Sequence, residues 1–329
     1  MLRKESRFLV KKVSITYKIP EAGIKILKEK FEVWINPKEN LLTKQEIKSL
    51  AKTSDAMITM LADNIDKEIL EEGKNKLKII ANYAVGYNNI DVEKAKELGI
   101  YVTNTPGVLT ETTADLTWAL ILSIARRIVE SDKFTREGKF EGWKPELFLG
   151  SDVYGKTLGI IGFGNIGQAV AKRALGFNMK VLYTQRHRVS SQIENNLNAS
   201  YVNLKELLES SDYISLHVPL TKETFHLLNE EKLSLVKRNS FLINTSRGAV
   251  IDEKILYEKL KNKEIAGAAL DVYENEPQIT TGLVKLDNVV LTPHIGSATF
   301  ETRSKMSVMV AQDIITALNG DIPKNLIWR

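Results

Sequence analysis

Lys156-Thr157-Leu158-Gly159-Ile160-Ile161-Gly162-Phe163-Gly164-Asn165-Ile166-Gly167 runs an apolar stretch straight into a glycine-rich turn, and Gln168 to Leu175 continues as an alanine-rich helical segment. Glycines at this spacing also occur in ordinary turns, so the strand before and the helix after are what make the spacing informative. In that order Gly162 permits the tight turn, Gly164 lets a pyrophosphate approach the backbone, and Gly167 lets helix and strand pack closely. Free N–H groups at the helix N-terminus, around Asn165 and Ile166, then face the phosphates. The stretch predicts a nicotinamide-dinucleotide site on a parallel α/β sheet.

About 20 residues further on, such sites usually place an Asp or Glu that accepts a hydrogen bond from the adenosine ribose. Here the strand Lys180-Val181-Leu182-Tyr183 ends in Thr184-Gln185-Arg186-His187-Arg188, which carries no carboxylate. A carboxylate repels a 2′-phosphate, whereas Arg186 and Arg188, with His187 between them, suit one through charge-assisted hydrogen bonds. NADP is therefore expected in preference to NAD.

The bulk properties bound the rest. A chain of 329 residues fits two domains and hence a cleft, and 43% hydrophobic with 26% charged residues is ordinary for a globular protein. The absence of cysteine removes disulfides, thiolate metal sites and cysteine nucleophiles, no metal site is read, and a cytoplasmic location is the simplest expectation. Met1 to Lys12 is basic, but no apolar region and cleavage site follow it, so no signal peptide is read. The longest apolar run, Trp118 to Ala125, is far shorter than the roughly 20 residues of a membrane span. The net charge of +5 comes from scattered residues, so neither nucleic acid nor membrane is expected as a partner.

From Lys12 to Thr103, apolar runs at 13–17, 31–35, 56–59 and 77–81 alternate with helical spacing at 21–29, 43–51 and 65–72. That alternation predicts a parallel sheet with helices on its faces. Thr105-Pro106-Gly107 breaks the pattern, and a domain boundary is placed there. Thr112 to about Thr135 reads as one long helix and as a candidate subunit contact. The alternation restarts at Lys156 and runs to Ile295; Thr302 to Leu318 reads as a closing helix, and Trp328 as a residue able to dock.

Three polar segments follow apolar strands: Leu242 to Gly248, Ala269 to Pro277, and Leu291 to Ser297. Open α/β sheets bind ligands beyond the carboxyl ends of their strands, so these three can converge. Hydride arriving at a carbonyl carbon builds negative charge on oxygen, and His294 suits the proton donor. Glu276 is expected to orient that imidazole and favour its cationic form. Arg247 is expected to polarise the keto oxygen and hold the neighbouring carboxylate. Taken singly, each residue has an ordinary structural explanation; the set is what points to keto-acid reduction.

With Asn82 to Asp91, Thr110 to Leu116, the glycine turn and His217-Val218-Pro219-Leu220, these segments resemble the D-isomer-specific 2-hydroxyacid dehydrogenases, most closely the glyoxylate/hydroxypyruvate reductase branch, over nearly the whole chain. The resemblance implies two doubly wound parallel-sheet domains, with a Rossmann coenzyme domain (106–296) inserted into a flavodoxin-like substrate domain (1–105 and 297–329) and the active site in the cleft. It puts the catalytic Arg, Glu and His on Arg247, Glu276 and His294, and the carboxylate-binding amides on Val85 and Gly86. It also implies cofactor contacts near Thr113, Thr245, Asp271 and Gly296 and along His217, Val218 and Pro219, with a homodimer through 112–137. Leu61 and Trp143 are expected to shape the pocket. Trp143 either reaches into the neighbouring subunit's site or covers its own subunit's core. D-lactate dehydrogenase, 3-phosphoglycerate dehydrogenase and a dinucleotide-sensing, corepressor-like binding protein remain open alternatives.

Overall fold

The structure, a computed structural model, describes residues 10–328; residues 1–9 of the basic N-terminal stretch lie outside the described residues, as does Arg329. The chain forms two compact units, Met1–Leu109 with Ala298–Arg329, and Thr110–Ser297. The first crossing thus falls after Leu109, four residues later than the Thr105 turn had placed it.

The first unit runs β1 (Lys12–Ile15), α1 (Glu21–Lys28), β2 (Glu32–Ile35), α2 (Lys44–Thr53), β3 (Ala56–Thr59), α3 (Lys67–Gly73), β4 (Ile79–Asn82), α4 (Val92–Glu97) and β5 (Tyr101–Thr103). All strand pairs are parallel, in the order β2-β1-β3-β4-β5. That is the flavodoxin-like order. Val13, Ile15, Met57, Ile58, Ile79 and Ile80 are wholly buried, because helices cover both faces of the sheet. Such strands read as apolar runs rather than as alternation. Each side chain contributes about 1.5–3 kcal/mol relative to exposure. Thr43 and Glu46 form a reciprocal capping box that starts α2.

The second unit begins with α5 (Thr110–Ala125) and α6 (Ile128–Arg136), where one long helix was expected. Arg127 interrupts it in a left-handed backbone conformation, φ 53°. The Ala125 carbonyl accepts a hydrogen bond from Ser151 N instead of continuing the helix, and Arg127 folds onto Glu130. A tertiary contact from a segment 26 positions away overrides the local helical pattern.

Then follow β6 (Thr157–Ile161), α7 (Asn165–Ala174), β7 (Lys180–Thr184), α8 (Ser191–Leu197), β8 (Ala199–Tyr201), α9 (Leu204–Ser210), β9 (Tyr213–Leu216), α10 (Glu230–Leu233), β10 (Phe241–Asn244), α11 (Glu253–Lys261), β11 (Gly267–Leu270) and β12 (Val289–Leu291). Their order, β12-β11-β10-β9-β6-β7-β8, is parallel throughout. The chain winds outward from β6 in one direction and from β9 in the other, so the strand order reverses between these two neighbours. That reversal is the place where open α/β sheets bind ligands. Helix α5 packs beside α7 through the Trp118 indole, which donates to Val170 O and stacks on Phe177.

Helix α12 (Phe300–Leu318) returns to the first unit. Ser307 Oγ accepts from Gly23 N and donates to Pro20 O, locking α12 against the start of α1. Trp328 packs partly buried onto the core of the first unit, as expected from the sequence. No helix among the described residues is long and apolar enough to cross a membrane.

Candidate active site

The glycine turn sits at the end of β6, where the strand order reverses. Gly162 has φ 93°, and a Cβ there would lie 2.6 Å from the His217 carbonyl oxygen at the end of β9. A side chain is excluded on both conformational and steric grounds. A Cβ on Gly167 would lie 2.2 Å from Gly162 O, so turn and helix touch backbone to backbone. Gly164 is different: a Cβ there would meet nothing within 4 Å, and the residue is exposed at the N-cap of α7 with no capping side chain. The first helix N–H groups lack intrahelical partners. An open, donor-lined approach of this kind fits a pyrophosphate.

His217 lies across the crevice. Its Nε2 pairs with Ser215 Oγ at 2.8 Å, while Nδ1 is buried without a hydrogen-bond partner among the described residues. Burial pushes the imidazole down to about 3, so it stays neutral. An unmatched buried ring nitrogen beside the turn is further reason to expect a polar ligand there.

Beyond β7, Gln185 Oε1 accepts from Phe163 N at 3.1 Å, tying the strand end to the glycine turn. Arg186, His187 and Arg188 are exposed. The two arginines differ: Arg188 grips Glu194 through two 2.8 Å hydrogen bonds, whereas Arg186 makes neither a hydrogen bond nor an ion pair among the described residues.

Arg247, Glu276 and His294 follow the neighbouring strands β10, β11 and β12, so the parallel sheet delivers all three at one edge. Asn244 shapes the first loop: its Oδ1 accepts from Ser246 N and Oγ, and its Nδ2 donates to Arg247 O. Gly248 then passes so close to the second loop that a Cβ would lie 1.8 Å from the Tyr273 carbonyl carbon. Only glycine lets the loops carrying Arg247 and Glu276 meet. Burial lowers the Arg247 guanidinium from its ordinary value, opposed by the charge of Glu276.

Glu276 Oε2 stands 2.9 Å from His294 Nδ1, and Oε1 accepts from Tyr273 N. Burial works to raise the Glu276 carboxyl, but the hydrogen bond and charge of His294, Tyr273 N and the charge of Arg247 together hold it below the usual carboxylate value. His294 Nε2 makes no hydrogen bond among the described residues and is the ring atom available to a substrate. Chemically, the group is a carboxylate-oriented imidazole with a guanidinium nearby. Such a set can donate a proton to an oxygen gaining negative charge.

Supporting residues were not legible as such in the sequence. Asp271, buried at the end of β11, accepts from Thr292 Oγ1, Ile295 N and Gly296 N, and so holds the His294 loop. Glu253 Oε2 accepts from Glu274 N and Oε1 from Thr280 N, bracketing the loop that carries Glu276. Glu274 answers by accepting from Glu253 N and pairing with His226 Nε2 at 2.9 Å. Asp252-Glu253 before an amphipathic stretch reads from sequence only as a helix start. Thr113 donates to Gly296 O, and Thr117 meets Thr245 Oγ1 at 3.0 Å, which fastens α5 to the same edge.

The remaining candidates lie elsewhere. In the first unit, Leu61 follows β3, and Val85 and Gly86 follow β4. Asn104 donates to Val85 O and Asn82 to Gly86 O, while the Val85 and Gly86 N–H groups make no hydrogen bond among the described residues. Asn89 donates to Met60 O and Asp63 O, joining the Leu61 loop to the Val85 loop. Trp143, in the second unit, is 84% exposed and does not cover its own unit's core. No group of three or more His, Cys, Asp or Glu among the described residues is arranged to hold a metal.

Residues 118–296 match the family model for the D-isomer specific 2-hydroxyacid dehydrogenase, NAD binding domain. The chain is 52% identical to a glyoxylate reductase of Pyrococcus horikoshii, over 97% of this chain and 96% of that protein. Among solved structures, a protein from Thermus thermophilus superposes with a TM-score of 0.90 at 43% identity, covering 96% of this chain and 99% of that one. An NADPH-dependent glyoxylate/hydroxypyruvate reductase of Sinorhizobium meliloti, in complex with NADP and malonate, gives a TM-score of 0.85 at 31% identity over 97% of each chain.

Proposed function

The chain belongs to the D-isomer specific 2-hydroxyacid dehydrogenases and is an NAD(P)-dependent oxidoreductase of small 2-keto acids, and from that premise we propose that it reduces glyoxylate or hydroxypyruvate, with NADPH favoured over NADH. The observation that carries the reading is the 2.9 Å contact between Glu276 Oε2 and His294 Nδ1, which leaves Nε2 to a substrate. The product is the 2-hydroxy acid, of D configuration where it is chiral.

A reduced nicotinamide, held by the glycine turn at Gly162 to Gly167, would supply the hydride for the substrate's carbonyl carbon. His294 donates its Nε2 proton to the oxygen that becomes the hydroxyl, and Glu276 keeps the ring aimed and stabilises its charge before the proton leaves. Arg247 offers its positive charge to the keto oxygen and the adjoining carboxylate. Val85 and Gly86 are proposed as further amide donors to that carboxylate; their unused N–H groups support the role. Thr113, Thr245, Asp271 and Gly296 are proposed to line the nicotinamide end, and Gly162, Gly164, Asn165, Ile166 and Gly167 with His217, Val218 and Pro219 the pyrophosphate end.

The NADPH preference is supported by the carboxylate-free end of β7 and its arginines. A homodimer through 112–137 is proposed as well, with Trp143 directed to the neighbouring subunit; the exposure of its ring supports that role. A cytoplasmic location is proposed from the cysteine-free composition. Steady-state kinetics on glyoxylate, hydroxypyruvate, pyruvate and phosphohydroxypyruvate, each with NADPH and NADH, tests the reading. Turnover of glyoxylate or hydroxypyruvate should lead, and inactivity toward all four would overturn it.

A further inference from the structure

Two loops of the candidate site are joined by a third segment that carries none of the proposed reacting groups. Residues 226–228 run beside 249–252: His226 N donates to Ala249 O at 2.8 Å, Leu228 N to Val250 O at 3.1 Å, and Asp252 N back to Leu228 O at 3.1 Å. The strip they pair with begins two residues after Arg247. With its side chain His226 reaches the other loop. Its Nε2 stands 2.9 Å from Glu274 Oε1, and a carboxylate accepts, so Nε2 donates to it. Glu274 lies two residues before Glu276, and its own N–H donates to the buried Glu253 carboxylate at 2.7 Å.

The imidazole is itself held in place. Phe225 stacks on it with ring centroids 4.1 Å apart and planes 16° from parallel, and Asp252 Oδ2 lies 3.7 Å from Nδ1. His226 has φ 47°, a left-handed conformation that a non-glycine residue keeps only where its surroundings impose it. Here the backbone N–H, the ring nitrogen and the ring face are engaged at once. The bare contact of Gly248 on Tyr273 lets the Arg247 and Glu276 loops meet, and the His226 bridge ties them together.

We propose that His226 is a positioning residue for keto-acid reduction: its backbone N–H holds the loop that carries Arg247, its imidazole holds the loop that carries Glu276, and the bridge keeps guanidinium and carboxylate in register on one substrate. The proposal rests on the roles of Arg247, Glu276 and His294 proposed above. Orientation of groups that act together supplies much of a rate, so a small displacement between their loops is costly. His226 acts through Ala249 and Glu274 rather than on the substrate, and its loss loosens the set without removing a member.

The test is the single-turnover rate of nicotinamide oxidation by the full-length protein with glyoxylate and with hydroxypyruvate, using whichever reduced nicotinamide it prefers, with dinucleotide Kd and Tm measured alongside. Wild type is compared with H226Q, H226N, E274A and the double variant H226N/E274A. Gln carries its amide nitrogen about as far from the backbone as His carries Nε2 and can still donate to Glu274. Asn stops short of Glu274, yet it is among the side chains best tolerated at positive φ. H226N should therefore slow turnover about fivefold or more while H226Q stays within about twofold of wild type, with dinucleotide Kd within about twofold in both. The Tm values of these two variants should agree within about 3 °C, so that a loss of fold does not account for the difference in rate. E274A should be slowed as H226N is, and the double variant should be no slower than the slower single one, as expected of one shared contact. Should E274A fail to fold, the contrast between H226N and H226Q decides by itself. The proposal is overturned if H226N keeps the wild-type rate, if H226Q is as slow as H226N, or if the losses in H226N and E274A multiply. An unchanged rate in His294→Ala would overturn the proton-donor reading by itself, and the order of the variants would still decide whether His226 acts through Glu274.

Discussion

Asp271 holds His294 in a left-handed backbone conformation. His294 has φ 54°, while the Asp271 carboxylate accepts Ile295 N and Gly296 N at 2.8 Å each, together with Thr292 Oγ1 at 2.6 Å. A non-glycine residue in this region costs of order 1–3 kcal/mol and persists only where its surroundings over-determine it. Burial raises the Asp271 carboxyl, and its hydrogen bonds to Thr292, Ile295 and Gly296 with the nearby His294 charge oppose that. Backbone strain at His294, the proposed proton donor, is thus matched by a buried acceptor. Asp271→Ala should lower stability by roughly 3 kcal/mol and kcat by more than tenfold. Urea unfolding and single-turnover kinetics read the two effects, and a variant as stable and fast as wild type would show that the clamp does not hold the loop.

The Glu276–His294 pair makes a second, separable prediction. His294→Ala should reduce kcat about 10²-fold or more if it is the proton donor. Glu276→Gln keeps an acceptor toward Tyr273 N but loses the charge facing Nδ1, so kcat should fall less, by about tenfold, with KM little changed. An unchanged kcat in His294→Ala would remove it from the chemistry.

Gly164 separates cofactor binding from folding. A Cβ there meets no atom within 4 Å, so Gly164→Ala should leave Tm close to wild type. The methyl group would stand where a pyrophosphate is proposed to approach, and the dinucleotide Kd should rise about tenfold or more. Gly248→Ala gives the opposite result: its Cβ would clash at 1.8 Å with Tyr273, so stability should fall by several kcal/mol, at least about 3. Equal effects of the two substitutions on Tm would contradict this contrast.

Glu194 makes a pH-dependent contribution whose sign follows from its depressed carboxyl, about 2 against an ordinary 4.5. A lowered folded-state value means that the Arg188–Glu194 contact is fully present above about 4.5 and is lost as pH falls toward 2. The Tm gap between wild type and Glu194→Gln should therefore be constant from pH 8 to 5 and shrink below 4.5. A gap that stays constant down to pH 3 would mean the charge of Glu194 does not stabilise the fold.

Trp143 is 84% exposed, so Trp143→Ala should alter Tm by no more than about 0.5 kcal/mol equivalent in the dissociated chain. If the ring closes a neighbouring subunit's site, the substitution should instead raise kcat/KM for bulkier 2-keto acids relative to glyoxylate. Sedimentation velocity run in parallel reports the oligomeric state. Unaltered substrate preference would leave Trp143 without that role.

Much of this was legible along the chain because parallel strands and glycine turns leave strong local traces. The runs at 13–17, 56–59 and 156–161 became β1, β3 and β6 because strands buried on both faces are uniformly apolar. Arg247, Glu276 and His294 were legible because each lies just past an apolar strand. The break at Arg127 was not, since the segment from Thr112 to Thr135 is helical in pattern and the interruption comes from Ser151. The supporting roles of Glu253, Glu274 and Asn244 were hidden as well, because most of their partners are backbone groups that carry no residue-type signal.

By itself the sequence determined the alternation of strands and helices, the glycine turn and the candidate trio, since hydrophobic period, glycine spacing and residue chemistry are properties of adjacent positions. Only the tertiary structure decided that Asp271 holds His294, that Gly248 must be bare for the Arg247 and Glu276 loops to meet, and that Glu194 occupies Arg188. Those outcomes depend on which backbone N–H, carboxylate or guanidinium lies within about 3 Å of another, and that proximity is created by folding between residues that the chain keeps apart.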